Sequence, residues 1–277
     1  KAATNQAQHV HWINQLRAVF GAMPLDALEP QHIYQYVDKR RRKKTSHTGK
    51  TTGGRIAAHR EVGVLSHAFT KAVEWGYLRA HPFKNEVRLE GEAPRERYIE
   101  DWEVVEVLSL PSMRKRGSVL AIQSYIRLKL LTGLRRSDLL RLQVSSCRED
   151  GIHVRTNKTG KAVIYTWTPE LRGAVEDAKA ARPVHIAPFL FCDRKGQGYL
   201  DEETGLCSGW KSMWQRFIDR ALRETKVTER FTEHDLRAKC ASDAESLEHA
   251  RAMLAHADAK TTELIYRRRP ERVRPAR

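Results

Sequence analysis

Apolar residues along this chain recur mostly at helical spacing. Between residues 8 and 20 they fall at 10, 13, 16, 19 and 20, and Gly21 and Pro24 end that helix. Pro30 opens a second helix with Ile33, Tyr34 and Val37 on one side. Residues 55–76 read as a long helix with Leu65, Phe69, Ala72 and Val73 as its stripe, stopped by Gly76. Residues 84–97 turn polar and carry Gly and Pro, as a linker does. Glu100 or Asp101 can then cap the helix DWEVVEVLSL. An apolar helix over 118–131 breaks at Thr132-Gly133, and another begins at Leu134. Alternation of β-branched residues appears over 152–156 and 161–168, around Asn157-Lys158-Thr159-Gly160, and predicts a hairpin. Helices are expected again after Pro169, over 209–222 and over 246–255, with a short strand-like run at 187–191. The pattern predicts a mainly α fold with a small antiparallel sheet: a helical domain over 1–90, a linker over 91–97 and a mixed domain over 98–277.

Charge narrows the class of partner. The net charge is +16, and residues 1–94 hold 15 Lys and Arg against 8 Asp and Glu, so both halves are basic and suit a polyanion. The run Lys39, Arg40, Arg41, Arg42, Lys43 and Lys44 is either a solvated face or a set of phosphate contacts. GKTT at 49–52 lacks the leading Gly of a phosphate-binding loop, because Lys44 stands there, and an NTPase is excluded. No apolar run approaches a membrane span, and no signal peptide is visible, so no membrane partner is expected. Cys147, Cys192, Cys207 and Cys240 form no CxxC pair and read as free thiols of a reducing compartment. The chain begins at Lys1, which fits a fragment of a longer protein.

The candidate chemistry lies between Phe231 and Tyr266. His234 and Arg237 are three apart and share a helical face, where an imidazole and a guanidinium can hold a phosphate. A tyrosine delivered on a later segment, Tyr266, could attack it. The HDLRA stretch, followed by LAHADAKTTELIY, resembles the C-terminal signature of the tyrosine recombinases, the phage-integrase family. TGLRRSDLLRL resembles that family's first arginine motif and assigns Arg135. The hairpin context points to Lys158 as its lysine, with Lys161 as competitor. REVGVLSHAFTKAVEWGYLRAHPF resembles the end of the family's helical core-binding domain. One departure is Ala255, where the family has Gly.

The resemblance implies a helical core-binding domain followed by a mixed α/β catalytic domain. It implies a site-specific recombinase that cuts and rejoins DNA through a covalent 3′-phosphotyrosine, for phage or mobile-element integration and excision. Arg135, Arg237 and His256 would bind the phosphate, His234 would exchange a proton with Tyr266, and Lys158 would protonate the leaving 5′-hydroxyl. Asp138 either orients Arg135 or is a helix-start carboxylate. No cofactor is implied. The twelve histidines form no metal-binding spacing, so no metal is expected. The implied partners are double-stranded DNA, further copies of the chain in a tetramer on DNA, and DNA-bending accessory proteins, in the bacterial nucleoid or a phage-infected cytoplasm. A type IB topoisomerase-like nicking-closing enzyme and a catalytically decayed DNA-binding protein are the alternatives. Few large apolar anchors flank Tyr266, so its segment is expected to be mobile without DNA.

Overall fold

The structure is a computed structural model. It describes residues 3–42, 44–45, 51–52, 54–113, 117–256 and 258–269. The chain divides into two compact units, Lys1–Ala93 and Pro94–Arg277.

The first unit is built on α1 (Ala3–Phe20), α2 (Pro30–Arg41) and α3 (Arg55–Glu74). Leu16, Ile33, Val37, Val62, Phe69 and Phe83 form its core. Pro30 sits in the first turn of α2, where a missing N–H costs nothing, and Glu29 and His32 cap that end reciprocally. The stripe of α1 is only partly used: Leu16 is buried, while Val10, Ile13 and Val19 remain exposed. In α2 the inward tyrosine is Tyr36, not Tyr34. Tyr34 is 41% exposed, and its hydroxyl accepts from the Arg88 N–H at 3.0 Å. Tyr36 turns inward because its hydroxyl donates to the buried Glu61 carboxylate at 2.7 Å. Two short strands, β1 (Lys44–Thr45) and β2 (Thr51–Thr52), pair antiparallel where the pattern predicted only loop.

Glu61 also decides the fate of the basic run. Arg40 binds it with both forks, Nε to Oε2 at 2.9 Å and Nη2 to Oε1 at 2.8 Å. Arg40 therefore braces α2 against α3, while Lys39, Arg41 and Arg42 stay exposed. Lys43 lies outside the described residues, and Lys44 is described only as backbone in β1.

The second unit contains α4 (Asp101–Leu108), α5 (Ser118–Thr132), α6 (Arg136–Leu140), β3 (Gly151–Arg155), β4 (Ala162–Thr166), α7 (Pro169–Ala181), α8 (Ser208–Glu224), α9 (Glu233–Asp243) and α10 (Leu247–Met253). A short α11 (Ala259–Thr261) runs into one π turn, Thr262–Tyr266. Helix α5 is the axis of this unit. Ile122, Gln123, Tyr125, Ile126, Leu128 and Lys129 are buried on different sides of it, the mark of a helix surrounded by protein. Tyr125 meets Phe191, Trp210 and Trp214 in an aromatic core. The predicted hairpin forms, with Ile152 opposite Tyr165. The expected strand at 187–191 does not. Phe189 makes a single bridge to Gln143, and Arg182 holds the segment as a loop by donating to the Ala187 and His185 carbonyls, each at 2.8 Å. Pro188 lacks the N–H that a longer ladder would use. Among the described residues no helix is long and apolar enough to cross a membrane.

Candidate active site

Helix α9 presents the centre of the site. Thr232 caps it: the Asp235 N–H donates to Thr232 Oγ1, and the Thr232 N–H donates back to Asp235 Oδ2 at 2.8 Å. Arg237, one turn on, is almost fully buried. Its Nη1 donates to the Gly133 carbonyl. Its Nη2 donates to the Leu254 carbonyl at 2.8 Å and to His256 Nε2 at 3.0 Å, while Nε has no partner.

The Gly133 carbonyl belongs to the turn that ends α5 and places Arg135. Gly133 has φ +62°, and a Cβ there would lie 2.4 Å from Leu254 Cδ2, so any other residue would be strained and would have to displace Leu254. Arg135 is the extended N-cap of α6 rather than a residue of its helical face, and its Nη1 is buried without a partner. Asp138 consequently does not orient Arg135. Its Oδ1 accepts from the Asn157 N–H at 2.9 Å and so anchors the hairpin turn that carries Lys158. That turn is closed by Thr156, whose hydroxyl meets Thr159 at 2.8 Å. The charge of Lys158 reaches His256.

His256 sits just past α10. The His256 N–H donates to the Arg251 carbonyl and the Ala255 N–H to the Ala252 carbonyl, each at 3.0 Å, the paired bonds of a Schellman turn. This turn needs a left-handed residue, and Ala255 supplies it with φ 51°. Because Arg237 donates to Nε2, the neutral imidazole carries its proton on Nδ1, which donates to Thr262 Oγ1 at 2.8 Å. Nε2 is thus an acceptor here, and binding an oxyanion through it requires Arg237 to turn away or a second proton to arrive.

Tyr266 closes the site. Its ring centroid lies 5.0 Å from that of His234 and 4.9 Å from that of His256. The Arg237 guanidinium stands over its face at 5.3 Å. Leu264 and Ile265 are exposed, as the scarcity of anchors suggested, but Tyr266 itself is 8% exposed and packs against Ala238, Ala241, Ala250 and Leu254. Small residues on α9 and α10 leave the space that the ring fills.

Both imidazoles are held neutral. Burial pushes His256 down to about 4, and Arg237, Arg135 and Lys158 add to the shift. His234 is also pushed down to about 4, first by loss of water, then by Arg268, Arg237 and Lys129. One face of its ring lies against Tyr266 while the residue as a whole stays exposed, so it keeps a path to solvent. Burial lowers the proton affinity of Arg237 too, with Arg135 as the next cause. The site is therefore short of negative charge.

Four contributors were not singled out by any sequence pattern: Lys129, Ser242, Thr262 and Arg268. Lys129 is fully buried and donates to the Leu134 carbonyl at 2.7 Å, next to Arg135. Burial pushes its ammonium down to about 7 against the pull of Glu233. Among the described residues no three His, Cys, Asp or Glu side chains are grouped to hold a metal ion, and the four cysteines are free.

Residues 109–272 match the model of the phage integrase family. The structure resembles a lambda integrase dimer bound to a COC′ core site, with TM-score 0.73 and 16% identity over 100% of this chain and 93% of that one. It also resembles a lambda integrase tetramer bound to a Holliday junction, with TM-score 0.68 and 17% identity over 100% of this chain and 75% of that one. A third likeness is to the Tn1549 transposon integrase in complex with circular intermediate DNA, with TM-score 0.66 and 15% identity over 92% and 93%. At these identities the likeness is one of fold. No curated protein sequence matches the chain.

Proposed function

The chain belongs to the phage integrase family, and from that premise we propose that it is a site-specific DNA recombinase acting through a covalent 3′-phosphotyrosine on Tyr266. One observation carries this reading: Arg237, whose guanidinium stands over the Tyr266 ring, and Arg135, whose charge acts on Arg237 and His256, each keep a buried guanidinium nitrogen without a partner, Nε and Nη1 respectively. A buried donor without an acceptor costs about 1–3 kcal/mol. The non-bridging oxygens of a phosphodiester would satisfy both donors, and planar guanidinium forks match them.

In the forward step Tyr266 Oη bonds to phosphorus and the bond to the 5′-oxygen breaks. The phenolic proton passes to His234, which is neutral at pH 7 and able to accept it. Lys158 gives a proton to the departing 5′-oxygen. Arg135 and Arg237 stabilise the charge developing on the non-bridging oxygens. His256 joins them when Arg237 turns from Nε2 to the phosphate. In the reverse step a 5′-hydroxyl of another strand attacks the phosphotyrosine and the phenol leaves. The ester is conserved throughout, so no nucleotide cofactor is consumed.

Residues 1–90 act in this reading as a helical core-type DNA-binding domain, 91–97 as a linker and 98–277 as the catalytic domain. Lys39, Arg41 and Arg42 are its exposed candidates for backbone phosphates. The relatives were solved on core-site, Holliday-junction and circular-intermediate DNA. The same partner, duplex DNA held by a tetramer during integration or excision, is assigned to this chain. Incubation with nicked candidate attachment-site duplexes tests the proposal. A covalent adduct should form, map to Tyr266 by mass spectrometry, and vanish in Tyr266→Phe with DNA binding kept. An adduct on Tyr165 or any other tyrosine would overturn the assignment.

A further inference from the structure

Arg268 stands two residues past Tyr266, yet its side chain is only 4% exposed. Nη1 donates to Asp235 Oδ1 at 2.7 Å and to the Arg97 carbonyl at 3.1 Å. Nε donates to the Ile265 carbonyl at 3.1 Å. The Arg268 N–H donates to Ser242 Oγ at 2.7 Å, and that hydroxyl donates to the Tyr266 carbonyl at 3.0 Å. The backbone on both sides of the tyrosine is thereby tied to α9. Asp235 is wholly buried between His234 and Arg237, and its Oδ2 also accepts from Thr232 and pairs with Arg95 at 3.0 Å. Burial alone would raise this carboxyl, but the Thr232 and Arg268 hydrogen bonds hold it below the usual range. One carboxylate thus joins the flank of Tyr266, the first turn of α9, and the stretch Arg95–Arg97 by which the chain enters the second unit.

A buried ion pair adds little stability over apolar packing, and its loss leaves an uncompensated charge; what it specifies is geometry. We propose that Asp235 and Arg268 are positioning residues that set Tyr266 against His234 and Arg237, and that Arg95 and the Arg97 carbonyl make this placement depend on the docking of the entry segment. This deepens the recombinase reading and rests on it. Displacement of that stretch removes two of the partners that hold the pair, so the placement of the entry segment is communicated to the nucleophile. A misplacement of about 1 Å at a reacting centre is enough to cost about 100-fold in rate.

The test is single-turnover adduct formation on a nicked duplex at saturating protein, with DNA affinity measured separately and amide hydrogen exchange followed over 262–268. Arg268→Leu should slow adduct formation by about 10- to 100-fold, leave DNA affinity unchanged and speed exchange at those amides. The acid limb of its rate–pH profile should move to higher pH, because His234 loses a neighbouring positive charge, a shift that a purely structural role would not produce. Arg268→Lys keeps the charge for Asp235 and should recover most of the rate. Arg95→Ala, on an exposed side chain, should slow the reaction to a smaller degree. A wild-type rate and unchanged exchange in Arg268→Leu would overturn the proposal. Should that variant fail to fold, a wild-type rate and unchanged exchange in Arg95→Ala would do so. If the unaltered protein forms no adduct on any DNA, the recombinase reading falls, and the exchange comparison alone still decides whether the pair holds the Tyr266 segment.

Discussion

Ala255 combines a left-handed backbone, φ 51°, with a buried methyl group. An L-residue with a Cβ pays roughly 1–2 kcal/mol in that region, and the Schellman turn that delivers His256 keeps it there. Ala255→Gly relieves the strain and loses one buried methyl, worth about 0.8 kcal/mol. The expected outcome in urea unfolding is a stability unchanged or raised by up to about 1 kcal/mol. Ala250→Gly, inside α10, should instead lose about 1 kcal/mol. Equal losses at the two positions would show that Ala255 is unstrained. The neighbouring imidazoles give a pH dependence whose sign is set by their depressed proton affinity. His234 and His256 titrate near 4 in the folded chain, against about 6.5 when free. Between those values the unfolded chain binds protons that the folded chain refuses, so stability falls as pH drops through that window and is flat above it on their account. Stability measured from pH 7 to 4.5 should decline less steeply in His256→Asn, and inorganic sulfate should offset the decline in the unaltered protein by raising both imidazoles. An identical slope in the variant would remove His256 as a source.

At the scale of elements, the hairpin β3–β4 is aimed rather than merely formed. Asp138 Oδ1 fixes the Asn157 amide, and the Tyr165 hydroxyl donates to the Met253 carbonyl at 2.7 Å, tying the second strand to α10. Lys158 is exposed at its tip, so its reach is governed by that anchor. Asp138→Ala should resemble Lys158→Ala in one diagnostic respect. Both should slow cleavage of a normal 5′-hydroxyl leaving group and be much less impaired on a 5′-thio substrate, which needs no proton. Equal loss on both substrates would take Lys158 out of the acid role and bring Lys161 under test.

At the scale of the whole molecule, the +16 charge has to be divided between groups that hold the fold and groups free to meet a polyanion. Arg40 belongs to the first class and Arg41 to the second, although they are adjacent. Arg40→Ala leaves the buried Glu61 with the Tyr36 hydroxyl but no positive partner, with an expected loss of about 3–5 kcal/mol from the first unit and little change in the salt dependence of DNA binding. Arg41→Ala should leave stability alone. If that side chain meets a phosphate, the slope of log affinity against log salt should fall by about 0.9. An Arg40 variant that is fully stable but has a shallower slope would reverse this division. For the intact protein, affinity that does not change between low and moderate salt would contradict DNA as the partner.

The hydrophobic period determined where the helices and the hairpin lie, because that signal is local: each stripe or alternation is complete within one element. The motifs around Arg135, His234, Arg237, His256 and Tyr266 could be proposed through their resemblance to the tyrosine recombinases, since each is a short run of residue types. Long-range partners were not. Nothing in the run 39–44 distinguishes Arg40 from Arg41 until α3 brings Glu61 beside one of them. Helical spacing placed Asp138 with Arg135, whereas the extended N-cap at Arg135 turned it away and gave Asp138 to the hairpin. The scarcity of large apolar residues near Tyr266 suggested a loose end, but the ring fills a space left by alanines on two other helices and its flanks are tied by Ser242 and Arg268. Burial of a charge or a ring depends on residues far away in the chain, and only the tertiary structure supplies them.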